Sequence, residues 1–130
     1  MSHPDVERLA RGKYLSLTTM KKDGSEVATP VWVARDGDEL VVITNATSGK
    51  AKRIRNNGQV RLAPCDMRGR INGASVTGIA RLTDSTDTQA VASLVQRKYG
   101  LAYTAIGWLE KLRGRSDDTV GIRCRLSEAQ

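Results

Sequence analysis

The residues best suited to chemistry lie in one short run, Ser48-Gly49-Lys50-Ala51-Lys52-Arg53-Ile54-Arg55. Ser48 is a helix N-cap type, and Asn56-Asn57-Gly58 is a fitting helix end, since Asn and Gly tolerate left-handed backbone. The run therefore predicts a short helix over Lys50 to Asn57, with Ala51 and Ile54 as a narrow apolar stripe. A helix prefers anions at its N-terminus and cations at its C-terminus. Packing Lys50, Lys52 and Arg53 at the N-terminal end opposes that preference unless an anion docks there, on the N–H groups of Ser48, Gly49 and Lys50. Ser48 offers a hydroxyl, and Gly49 allows close approach. The competing reading is a solvated basic face with no ligand.

Other residues near this corner have two readings. Asn45 bonds a ligand carbonyl or caps a turn. Trp32, between Val31 and Val33, lines a ring pocket or packs at a subunit interface, and Trp108 belongs to core or interface packing. His3 is the only histidine, so no Ser-His-Asp or Cys-His arrangement can be built and most metal sites are removed. Cys65 and Cys124 lack the short spacing of a zinc or redox motif and read as reduced structural thiols, with a disulfide between them as the alternative. No catalytic side chain and no metal ligand is therefore assigned. If the protein is an enzyme, a bound cofactor must supply the chemistry.

The charge distribution supports this focus on one corner. The 130 residues carry a formal charge of +7, with a sequence pI near 9.9. Residues 45–70 hold seven basic side chains and one acidic, whereas residues 1–44 hold six basic and seven acidic. The basic strip from 45 to 70 contains no aromatic residue, which disfavours nucleic acid, whose binding surfaces interleave rings for base stacking. The longest aliphatic run, Leu40 to Ile43, is far short of the ~20 residues of a spanning helix. No signal peptide is read at the start, and a cytoplasmic protein is expected.

Strand signals dominate the elements that must hold this corner. Tyr14 to Met20, Val27 to Arg35 and Glu39 to Thr44 are separated by Asp23-Gly24 and Asp36-Gly37. Asp-Gly between strand-like runs is a strong hairpin signal, so a three-stranded meander is predicted, with Pro30 marking an edge or a bulge. Val60 to Cys65, a long Ile71 to Leu82 and Thr119 to Leu126 read as further strands. Gly73 and Gly78 permit a bend or a close backbone approach in the long strand. Helices are predicted from the Asp84 cap cluster to Gly100 and from Thr104 to Leu112. About six strands and three helices in a single domain, residues 1–130, close naturally into a small antiparallel barrel.

The order of these motifs resembles the pyridoxamine-5'-phosphate-oxidase-like split barrels. It runs Tyr14 to Thr19, Ala28-Thr29-Pro30-Val31-Trp32-Val33, Leu40 to Asn45, then Ser48 to Asn57, with Val76 to Leu82 as the long fifth strand. Within these it is most similar to the coenzyme F420-dependent flavin/deazaflavin oxidoreductases of the B group. The resemblance implies a six-stranded antiparallel split β-barrel with flanking short helices. It implies a homodimer with two cofactor sites at the interface, and an oxidoreductase passing hydride from reduced F420 to a small organic acceptor. FMN is the alternative cofactor. Ser48, Gly49, Lys50 and Lys52 would hold the phosphate with Arg55 nearby, and Thr44 and Asn45 would approach the ring or ribityl chain. Arg70, Ile71, Asn72 and Gly73 would come from the other subunit. A non-catalytic F420 carrier fits the same residues, whereas histidine-ligated haem finds no ligand but His3.

Overall fold

The computed structural model describes residues 4–100 and 119–127. Its elements in chain order are α1 (Pro4–Arg11), β1 (Tyr14–Met20), β2 (Glu26–Val31), β3 (Ala34–Asp36), β4 (Glu39–Asn45), α2 (Gly49–Asn56), β5 (Gln59–Cys65), β6 (Val76–Leu82), α3 (Ser85–Tyr99) and β7 (Thr119–Leu126). The strands form one antiparallel sheet in the order β2-β1-β5-β6-β7-β4-β3. The two edge strands, β2 and β3, are consecutive in the chain and separated by Trp32 and Val33 alone. A sheet whose opposite edges are two residues apart must curl, and this one closes into a split barrel.

The barrel interior is filled by Leu15, Leu17, Leu40, Val42, Val60, Leu62, Ile122 and Cys124, all essentially fully buried. These positions alternate along their strands, as a half-buried sheet requires. Val6 and Leu9 of α1 and Ile54 of α2 join the same core. Outside the barrel, α3 packs Val91, Val95 and Tyr99 against Val41 and Ile43 of β4. Cys65 and Cys124 are buried free thiols, and burial pushes the Cys124 thiol up to about 12.

Several expectations are corrected. The strand predicted over Val27 to Arg35 is two strands, giving seven rather than six. Both Asp-Gly hairpins form, β1 with β2 and β3 with β4, but they do not run on as one meander, because β2 pairs only with β1 while β4 pairs with β3 and β7. Pro30, which has no N–H, fits the edge position of β2. The long strand starts at Val76, not Ile71. Residues 66–75 spend their backbone bonds locally: the Asp66 carboxylate accepts from the N–H groups of Arg68 and Arg70 (both 2.9 Å), Gly69 turns at φ 86°, and Asn72 N donates to Pro64 O (3.0 Å). Only a bridge between Ile71 and Cys65 survives there. Gly78 is the close approach, since a Cβ there would sit 2.7 Å from the Arg125 carbonyl oxygen. Helix α1 was not anticipated. The predicted helix Thr104 to Leu112, and Trp108 with it, lies outside the described residues.

Candidate functional site

The end of β4 turns directly into α2, and this corner is built largely from its own hydroxyls and amides. Ser48 is the N-cap, its Oγ accepting from Ala51 N (3.2 Å) and from the Thr44 hydroxyl (3.3 Å). With both bonds accepted, the Ser48 hydroxyl proton is left to donate outward. Ser48 N itself donates to Asn45 O (3.0 Å), and Lys52 N donates to Ser48 O (3.1 Å). Of the expected backbone donors, Ser48 N–H is therefore taken, and those of Gly49 and Lys50 remain. The Asn45 side-chain oxygen accepts from Thr47 N (2.8 Å) and the Thr47 hydroxyl (2.7 Å), so Asn45 caps the turn.

Arg53, one of the three cations expected at this helix end though not among the residues that the resemblance assigns to the phosphate, completes the corner. It stands four positions after Gly49, and side chains at that spacing share a helix face and lean toward the N-terminus. A Cβ at Gly49 would lie 2.7 Å from Arg53 Nη1, so the guanidinium lies over the first turn in space that only glycine leaves open. It is anchored there by donation from Nε to the Oγ1 of fully buried Thr19 on β1 (2.6 Å). The i, i+4 relation to Gly49 was visible in the sequence, whereas the Thr19 anchor depends on tertiary packing.

The electrostatics are unbalanced. The first turn of α2 has no acidic residue. Lys50 is half-buried; desolvation pushes its ammonium pKa down, and the Arg53 charge pushes it down further. Among the described residues neither Lys50 nor Arg53 has an ion-pair partner. Two cations thus crowd a helix end already positive from its own dipole. Oriented N–H donors, a hydroxyl, a glycine opening and two cations are the donor set of a phosphoryl group, so the residues present fit one. Lys52 and Arg55 are exposed further along the helix.

Arg70, Ile71, Asn72 and Gly73 lie elsewhere. The Ile71–Cys65 bridge and the Tyr14–Cys65 pairing put them at the Tyr14 end of β1, whereas Arg53 is tied to Thr19 near the other end. Five residues of strand separate the two, roughly 17 Å at the usual rise. Ile71 and Gly73 instead line a cavity of about 580 Å³ on the outer face of β1 and β5, with Ser16, Thr18, Arg61 and Ala63. One chain does not bring all the expected residues together. Arg70 makes a loose, exposed 4.0 Å contact with Asp66, and Asn72 is exposed.

Among solved structures, a haem storage protein from Vibrio cholerae superposes with a TM-score of 0.69 at 14% identity, covering 99% of this chain and 93% of that one. A conserved hypothetical protein from Mycobacterium tuberculosis gives 0.67 at 22% identity, with coverages of 98% and 89%. An F420 reductase gives 0.59 at 20% identity, with coverages of 93% and 92%. At such identities the likeness is one of fold. No match was found among curated protein sequences. Residues 5–129, which include every described strand, match the pyridoxamine 5'-phosphate oxidase family, and the chain belongs to that family.

Proposed function

We propose that this protein binds a phosphate-bearing redox cofactor at the N-terminus of α2 and is an oxidoreductase. Coenzyme F420 is the first candidate and FMN the alternative. The observation that carries the reading is the pair Lys50 and Arg53, held with no counter-ion among the described residues over a helix N-terminus that a glycine keeps open. Hydride transfer would be the cofactor's own chemistry. The chain's residues hold and orient it: Gly49 and Lys50 N–H and the Ser48 hydroxyl toward the phosphoryl oxygens, with Lys50 and Arg53 neutralising them. The exposed cations Lys52 and Arg55 support F420 over FMN, since they extend the positive strip beyond a single phosphate.

The separation of Arg70–Gly73 from α2 supports a homodimer, in which each site draws on both chains. No helix among the described residues is long and apolar enough to cross a membrane, and two buried free thiols suit a reducing, cytoplasmic setting. The test is a titration with F420 and with FMN, using wild type, Lys50→Ala and Arg53→Ala. Saturable binding that both substitutions weaken supports the reading. Binding of neither cofactor, or binding indifferent to both substitutions, overturns it. Consumption of reduced cofactor on adding an acceptor separates an enzyme from a carrier.

A further inference from the structure

Away from α2, three separate chain segments bring cations to one place. A groove of about 450 Å³ runs between α1, β3 and α3, and its walls carry Arg11, Arg35, Arg97 and Lys98. An adjoining depression of about 300 Å³ shares Arg11 and Lys98 and adds Lys13. Among the described residues Glu7 is the only carboxylate lining either, and it is 3.6 Å from Arg11 in an exposed pair. The charge count by sequence segment hides this patch, because its members come from residues 11–13, 35 and 97–98.

Two of these cations have no formal counter-charge among the described residues. The Lys98 ammonium spends all three N–H donors on the carbonyls of Ala10 (2.6 Å), Gly12 (2.8 Å) and Val33 (2.6 Å). It is thereby a fixed point charge between α1 and β3, and desolvation pushes its pKa down. Arg97, one residue earlier on α3, is exposed and has no ion-pair partner among the described residues. Between the cations the groove has an aliphatic floor that includes Leu94 and Ala34.

We propose that this groove is a second anion site, distinct from the α2 corner, for a small organic molecule carrying at least two carboxylate or phosphate groups on a short apolar body. Guanidinium forks from different elements recognise oxyanions with bidentate geometry, while Lys98 supplies an immobile charge between them. The floor takes the apolar part, and the volume lies within the usual range for ligand sites. The site does not rest on the cofactor reading. Lys13 directly precedes β1, so this groove and α2 lie toward opposite ends of that strand.

The test is isothermal titration calorimetry with tripolyphosphate and with citrate, at near-physiological salt, on wild type, Arg97→Glu, Arg35→Glu and Lys50→Ala. The expected result is saturable binding of at least one probe that is weakened about tenfold or more by Arg97→Glu and Arg35→Glu and that persists in Lys50→Ala, where the α2 corner is silenced. Arg35 also donates to the Gly37 carbonyl (2.9 Å). Should Arg35→Glu lower the melting temperature, Arg97→Gln on the exposed helix face carries the test instead. Binding of neither probe, equal binding by all variants, or loss confined to Lys50→Ala overturns the proposal. So does tighter, steeply salt-dependent binding of a single-stranded oligonucleotide through the same arginines.

Discussion

The substitution Thr19→Val isolates the anchor of Arg53 without touching any group that faces the proposed phosphate. It replaces a hydroxyl by a methyl at a fully buried position and removes the acceptor 2.6 Å from Arg53 Nε. The second contact of that hydroxyl, to Val27 O, is 3.5 Å long and adds little. A hydrogen bond to a charged group is worth about 1.5–3 kcal/mol net. Because Arg53 is only half-buried, water replaces part of the loss, and the lower end, about 1.5 kcal/mol of stability, is expected. For cofactor affinity the effect is organisational. An unanchored guanidinium must be immobilised on binding, at about 0.5–1.5 kcal/mol per such side chain. At about 1 kcal/mol the dissociation constant rises about fivefold. Arg53→Ala removes the charge itself and is expected to cost roughly 10–100-fold. The decisive comparison is Thr19→Val in the Arg53→Ala background, measured by fluorescence titration with F420 or FMN. If Thr19 acts through Arg53, its substitution there changes affinity by less than about twofold. An equal loss in both backgrounds, or unaltered affinity in Thr19→Val alone, would refute the positioning role.

Other expectations concern the fold that carries the site. Tyr99→Phe leaves the N–H of fully buried Val33 without its acceptor, the Tyr99 hydroxyl at 2.8 Å, and should cost about 1–3 kcal/mol by urea denaturation; an unchanged midpoint would contradict this. Gly78→Ala drives a methyl to 2.7 Å from the backbone oxygen of Arg125 and should destabilise by about 1–3 kcal/mol or more, read as a lowered melting temperature. Arg123 is buried among Asp87, Asp36 and Glu39 at 2.6, 2.8 and 3.2 Å. Hydrogen bonding from Arg123 holds the Asp87 carboxyl below its ordinary value, and Arg81 first, then Arg123, does so for Glu39. Depressed carboxylates contribute stability above their unfolded pKa values near 4, lost as pH falls through the folded values. Arg123→Met should therefore flatten the decline in stability on the acid side of about pH 5, and a decline as steep as wild type would exclude this cluster as its source.

Much of this fold was legible because its signals are local. Strand β1 follows from its β-branched and aliphatic residues, β7 from alternation, and the Ser48 and Asp84 caps from residue type and position. Where the reading failed, the cause was tertiary. Nothing between Val27 and Arg35 announces that the chain leaves one sheet edge at Trp32 and joins the opposite edge at Ala34. Helix α1 did carry signals: Asp5 and Glu7 in its first turn, Arg8 and Arg11 in its last, and buried Val6 and Leu9 three apart. At 8 residues it is too short to be stable alone, and its apolar face is held by the barrel core. The basic corner and its three cations follow from misplaced charge, yet the anchor of Arg53, Thr19 on β1, lies thirty-four positions away and has no local signal.

The placement of β7 has a consequence for how such a chain leaves the ribosome. This strand is the last in sequence among those described, yet it lies inside the sheet, between β6 and β4. Until residues 119–126 emerge, both neighbours present unpaired backbone edges beside Leu40, Val42 and Ala80, the combination that templates aggregation. Synthesis must then run nearly to Leu126 before the barrel can form. A pause placed upstream of Thr119 should prolong the exposure of a sticky half-sheet to chaperones.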